Sequence, residues 1–130
     1  MRGTIMDYPL TLPTILEHAG RLHGDQEIVS RHPDKSIHRY TFADFYRRSR
    51  QLAEALLQAG LKPGDRVGTL CWNHAEHLEM YFGVPCAGGV LHTLNLRLHA
   101  DELAYIVNHA DDRFLIVDDD LLPILEGFKE

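Results

Sequence analysis

The sequence is poor in the residues that most often announce chemistry. Its cysteines are Cys71 and Cys86 alone, at a separation that fits no metal or redox spacing. Its serines are Ser30, Ser36 and Ser49, none of them in a G-x-S-x-G elbow, so no nucleophile–base pair can be argued. Neither G-x-G-x-x-G nor G-x-x-x-x-G-K occurs, which removes two common glycine patterns for phosphate binding. No apolar run approaches about 18 residues, so no segment reads as a transmembrane helix. The first 14 residues are broken by Arg2, Asp7, Pro9 and Pro13 and do not form the apolar core of a secretory leader. A cytoplasmic protein with reduced thiols is expected. The net charge of −6 argues against a surface that tracks nucleic-acid phosphates.

What is present is a chain of ordinary globular composition, 45% hydrophobic and 25% charged over 130 residues. That length suits one compact unit with a real core. Residues 1–13 carry two prolines and no periodicity and read as an extended arm. Residues 14–40 read as a short helix and a hairpin: Thr14 caps a helix from Ile15 to Leu22 that ends at Gly24. The β-prone runs Glu27 to Ser30 and Ile37 to Thr41 then flank a His32-Pro33-Asp34-Lys35 turn.

Residues 41–130 read as an α/β unit. Thr41 with Asp44 three residues on has capping-box spacing, and opens a helix that Gly60 ends. Phe42, Phe45, Tyr46, Ser49, Leu52, Ala53 and Leu56 recur every three or four residues, the mark of one buried stripe. Pro63-Gly64-Asp65 predicts a tight turn, with glycine free to take positive φ. Val67 to Trp72, Val90 to Leu94 and Arg113 to Val117 read as strands. The last is almost wholly apolar and should be covered on both faces. Between them lie a helix starting near Asn73 and Glu76, with Leu78, Tyr81 and Phe82 inward, and another over Asp101 to His109 burying Leu103, Ile106 and Val107. Pro85 should kink the first of these or end it a turn early. A weak helix, Leu121 to Phe128, closes the chain. The fold class is therefore α/β: a β-hairpin followed by a βαβαβ parallel-sheet unit with right-handed crossovers.

Candidate functional residues each meet a plainer reading. Gly88-Gly89 and Gly64 precede strands, whereas a phosphate cradle follows a strand and opens a helix, so they read as chain-turning glycines. His74 and His77 stand three apart on a helix, but a metal needs further ligands, Glu76 points elsewhere, and structural histidines are expected. His92 is read as a core histidine with a backbone partner. Asp118-Asp119-Asp120 lies beyond the last strand, where α/β folds place ligands, and could hold Mg²⁺; capping of the following helix is the reading preferred. Arg47, Arg48 and Arg50 share a helix with Asp44 and Glu54 and read as a solvated face.

Five blocks carry a resemblance: Y-T-F-A-D-F at Tyr40 to Phe45, P-G-D-R-V at Pro63 to Val67, W-N-H-A-E-H-L at Trp72 to Leu78, A-G-G-V-L-H-T-L-N-L-R-L at Ala87 to Leu98, and E-L-A-Y-I-V-N-H-A-D-D-R-F-L-I-V at Glu102 to Val117. In this order and spacing, from about residue 10 onward, they resemble the opening of fatty-acyl-CoA ligases of the adenylate-forming (AMP-binding) superfamily. His92 to Leu98 is similar to the fatty-acyl branch in particular, although many relatives carry proline where Leu96 stands. The resemblance implies a parent enzyme that joins a carboxylate to AMP from ATP, with Mg, and passes the acyl group to CoA. It also implies that residues 1–130 are a partial N-terminal domain, about a quarter of that enzyme. The family's Ser/Thr/Gly-rich phosphate loop, its adenine motif, its hinge residue and its late catalytic lysine have no counterpart here. Lys35, Lys62 and Lys129 lie in no matching context. No catalytic, cofactor-binding or metal residue is therefore expected in this segment. Its expected partners are the remainder of the enzyme and a second copy, because a sheet cut from a larger domain leaves edges uncovered. Two other readings stay open: a free-standing module binding a small molecule near Asn73, Asn95 and Asp118, or a non-catalytic interaction domain.

Overall fold

A computed structural model describes residues 6–32 and 34–128. The first five residues of the expected arm, Pro33 of the turn, and Lys129 lie outside the described residues. Helix α1 spans Leu12–Leu22, capped in position by Thr11, with Pro13 inside its first turn. The sequence reading placed the cap at Thr14 and gave Pro13 to the arm. A first-turn residue has no intrahelical acceptor for its amide, so proline belongs there as well as outside.

Strands β1 (Glu27–Arg31) and β2 (Ile37–Thr41) pair antiparallel with Ser30 opposite His38. Lys35, at φ 72°, supplies the left-handed residue of their connection. Thr41 then opens α2 (Phe42–Gln58) through the full capping box: its Oγ1 accepts from the Asp44 amide at 3.2 Å, and Asp44 Oδ2 accepts from the Thr41 amide at 3.3 Å. Gly60, at φ 95°, closes it, with Gly60 N–H donating to Leu57 O and Leu61 N–H to Leu56 O. Those paired bonds satisfy carbonyls that the helix end would leave orphaned, and Leu56 and Leu61 meet in the same core. Of the expected stripe, Phe45, Ser49, Ala53 and Leu56 are buried.

Next come β3 (Arg66–Leu70), α3 (Ala75–Cys86), β4 (Val90–Thr93), α4 (Ala100–Ala110), β5 (Asp112–Val117), a 3₁₀ turn at Asp119–Leu121 and α5 (Leu122–Glu126). The sheet is parallel in the order β4-β3-β5. The chain thus steps one way from β3 to β4 and the other way from β4 to β5. Right-handed crossovers in opposite directions put their helices on opposite faces. Accordingly α2 and α3 cover one face around Val67, Met80 and Val84, and α4 and α5 cover the other around Leu70, Leu94 and Leu103. A third cluster, Leu16, Tyr40, Phe45 and Ala75, ties α1, the hairpin and α3 together.

Several sequence expectations are corrected here. β3 stops at Leu70 and not Trp72, because the Trp72 amide turns away from the ladder to the Asp118 carboxylate, 2.8 Å away. Tyr81 is 44% exposed and not inward. Helix α3 is buried on two sides, Met80 and Val84 against the sheet and Leu78 and Phe82 against the α1–hairpin cluster, which leaves the Tyr81 direction for solvent. Pro85 sits in the final turn of α3, which ends one residue later. β5 is apolar on both faces as expected, Phe114 and Ile116 toward α3 and Leu115 and Val117 toward α4. As an edge strand it leaves all four half-buried.

Candidate functional site

In an open parallel sheet, ligands sit outside the carboxyl ends of strands where the winding reverses. Here that point lies between β3 and β5. The chain leaving β3 runs Cys71-Trp72-Asn73-His74, and the chain leaving β5 runs Asp118-Asp119-Asp120. Asp118 joins them: its Oδ2 accepts from Trp72 N–H at 2.8 Å and lies 2.8 Å from His74 Nε2. The Trp72 indole N–H donates to Asp120 Oδ2 at 2.9 Å. Capping was the role expected of these carboxylates, and for Asp118 the structure corrects it. The residue stands at the head of the 3₁₀ turn without a side-chain cap bond, its carboxylate spent across the crevice.

His74 is the N-cap of α3, where Asn73 had been expected to start the helix, and its Nδ1 accepts from His77 N–H at 3.2 Å. His77 is buried behind it. Its Nδ1 lies 3.1 Å from Trp72 O, which can only accept, so Nδ1 carries the proton and Nε2 accepts from Thr69 Oγ1 at 3.0 Å. Burial, reinforced by the neighbouring His74, lowers the His77 pKa and keeps the ring neutral. Ser30 Oγ on the hairpin accepts from Ala75 N–H at 2.9 Å and so ties β1 to the same helix start.

Three open hollows surround this junction. One of about 270 Å³ lies between β1 and α3, beside Ser30, His77 and Tyr81. One of about 570 Å³ faces the hairpin turn, walled by Asp34, Glu76, Asp118, Asp119 and Asp120. The third, about 460 Å³, sets Asn73, Asn95 and Arg97 over Leu94, Leu96 and Leu121. Asn73 and Asn95 thus share a wall, and Asp118 lines the acidic hollow instead.

The chemistry within reach is limited. Burial, then the Asp118 charge, pushes the Cys71 thiol up to about 12, so it is a thiol and not a thiolate nucleophile at neutral pH. Among the described residues no three His, Cys, Asp or Glu side chains converge as metal ligands. The amides of Gly88 and Gly89 donate to Pro85 O and Val84 O and close the end of α3, and that of Gly64 donates to Gly88 O and ties the two loops together, so these donors are spent within the fold. What the junction does is lock two strand ends, a helix start and a hairpin to one another.

Away from this edge, sequence reasoning missed two arrangements. His92 was expected to bond backbone; its Nδ1 in fact lies 2.8 Å from Asp112 Oδ2, a carboxylate only 1% exposed. This pair spans from β4 to β5 across the central strand at Gly68, where an added Cβ would stand 3.0 Å from Asp112 Oδ2 and 2.7 Å from Leu115 Cδ1. A glycine inside a strand pattern was the available signal of such close approach. Arg48 leaves the solvated face assigned to it and grips the buried Glu79 of α3 with two hydrogen bonds. Arg47 pairs with Asp44, and Arg50 donates to Tyr46 Oη.

Residues 16–129 match the family described as AMP-binding enzyme. The long-chain-fatty-acid–CoA ligase of Thermus thermophilus is 48% identical over 98% of this chain, which covers 24% of that protein. The 3-methylmercaptopropionyl-CoA ligase of Ruegeria lacuscaerulensis is 41% identical over all of this chain and 24% of itself. Among solved structures, the anthranilate CoA ligase AuaEII in complex with anthranoyl-AMP superposes with a TM-score of 0.81 at 28% identity. That match covers 95% of this chain and 23% of that one. The chain spans about a quarter of the length of the relatives it matches.

Proposed function

Because this chain belongs to the AMP-binding enzyme family, we propose that it is the N-terminal α/β portion of an ATP-dependent fatty-acyl-CoA ligase acting on medium- or long-chain acids. The reaction joins a carboxylate to AMP with release of pyrophosphate, after which CoA displaces AMP. Mg with ATP, and CoA, are the cofactors of the whole enzyme, whose place is the cytoplasm. Residues 1–130 serve it as scaffold. They supply a packed wall for the parts that bind nucleotide and acyl chain, and they contribute no reacting group of their own.

The observation that carries this reading is the 48% identity, over 98% of the chain, with a long-chain-fatty-acid–CoA ligase. The network at the switch point supports it, since its polar atoms bond one another and its thiol is held protonated. Pyrophosphate release can be followed with MgATP, CoA and saturated acids of graded length. The product of the gene's whole reading frame is expected to release pyrophosphate and form acyl-CoA, best with medium or long chains. The 130-residue chain alone is expected to do neither. Acyl-adenylate made by the 130-residue chain would overturn the scaffold reading, and a preference for aromatic or very short acids would overturn the substrate class.

A further inference from the structure

We propose that His74 is a proton-operated latch on the first turn of α3: neutral, it caps the helix, and protonated, it gives up the cap and pairs with Glu76. This goes beyond the ligase reading and does not depend on it. The geometry points to it through one nitrogen with two claims on it. His74 Nδ1 lies 3.2 Å from the His77 amide, which donates to it, and 3.1 Å from Glu76 Oε2, which can only accept. A ring nitrogen cannot take a proton from an amide and give one to a carboxylate at the same time.

The other ring nitrogen fixes which state is which. Nε2 lies 2.8 Å from Asp118 Oδ2, and that oxygen also accepts the Trp72 amide, so the carboxylate is held in place. Nε2 therefore carries hydrogen in both states. The neutral ring keeps its lone pair on Nδ1, and the helix start is capped. One added proton turns Nδ1 into a donor, which Glu76 accepts while the His77 amide is left facing another N–H.

The hollow around His74 is lined by carboxylates. Asp119 and Asp120 stand behind Asp118 after β5, and Asp34 faces the same hollow from the hairpin, against His32 there and His77 on the helix itself. His74 is 8% exposed at its side chain, so these charges act with little solvent between them. His77 does not take up the proton in its place, because both its nitrogens are bonded within the core. The latch thus sets how the start of α3, which divides the hollow beside β1 from the acidic one, is held: by the His74 cap or by the His74–Glu76 pair, with the anchor to Asp118 kept in both.

The test is an NMR titration of the ¹⁵N-labelled chain from pH 8 to 4.5, following the His74 ring and hydrogen exchange at the His77 amide. Protection at His77 is expected to fall about fivefold, the weight of one helix cap, with the same midpoint as the His74 ring. Glu76→Gln, at a half-exposed position that does not threaten folding, is expected to move both midpoints to lower pH together. His74→Asn, which caps without titrating, is expected to keep the amide protected throughout. An amide that stays protected while His74 titrates, a ring that does not titrate in this range, or midpoints that ignore Glu76→Gln would each overturn the latch.

Discussion

At the scale of single residues, the side chains that matter most sit where two elements approach too closely for ordinary packing. Gly68 is the clearest case, lying under the His92–Asp112 pair with no room for a methyl group. Gly68→Ala is expected to cost about 2 kcal/mol, the scale of overpacking in a filled core, and to shift the His92 ring signals. An unchanged urea midpoint would disprove the close approach. The Tyr40 hydroxyl makes the opposite prediction. It is buried with no hydrogen bond of normal geometry, and burial, then the charge and weak hydrogen-bonding pull of the neighbouring Glu79 carboxylate, raises its pKa. Removing an unsatisfied hydroxyl relieves a desolvation penalty, so Tyr40→Phe should leave stability equal or raise it by up to about 1 kcal/mol. Glu79→Ala nearby should cost about 2 kcal/mol, since it leaves Arg48 half-buried and unpaired; equilibrium denaturation separates the two. His77 adds a pH dependence of definite sign. Its pKa is lowered in the folded chain, so below about 6.5 the unfolded chain binds a proton that the native one refuses. Its contribution to stability is full above that pH and is lost as the pH falls toward the lowered value. His77→Gln should flatten the fall in urea midpoint between pH 7.5 and 5.

Elements were legible where local chemistry decided them. The Thr41–Asp44 box, the Gly60 stop and the Gly64 turn all stand where the sequence put them, because each is settled by a few adjacent residues and their dihedral freedom. Thr41→Ala removes both a cap acceptor and the partner of Asp44, and is expected to cost about 1 kcal/mol, read from thermal unfolding. A loss of under about 0.3 kcal/mol would mean that tertiary packing alone holds the start of α2. Where an element's end depended on a distant residue, the sequence misplaced it. β3 ends two residues early because Asp118, 46 positions away, takes the Trp72 amide. The inward face of α3 was misjudged for a related reason. Periodicity finds one buried stripe, whereas α3 is packed on two sides, with Gly83 letting it close on Leu52 and the Ser49 carbonyl of α2.

For the whole molecule, the sheet order leaves β4 and β5 as edges, and β5 offers a half-buried apolar run from Phe114 to Val117. Unpaired edges of this kind seek other strands. The isolated chain is therefore expected to run as a dimer or larger species at tens of micromolar, and light scattering at a clean monomer mass would count against it. At this scale the family was legible from motif order, and the α/β class from alternating apolar patterns. The direction of each strand step was not, since nothing local says on which side of β3 the next strand lies.

The sequence by itself determined the hairpin, the capped start of α2, the alternation of strands with helices, and membership in a family whose motifs it carries in order. These follow from short-range rules: dihedral freedom at glycine, side-chain bonds to nearby amides, and the periods of helix and strand. Only the tertiary structure decided which polar groups meet. Asp118 reaches Trp72 and His74, Asp112 reaches His92 over a glycine, and Arg48 reaches Glu79, each across 20 or more positions. A side chain's partner over such distances is set by the order in which strands lie side by side, and that order is a property of the packed whole.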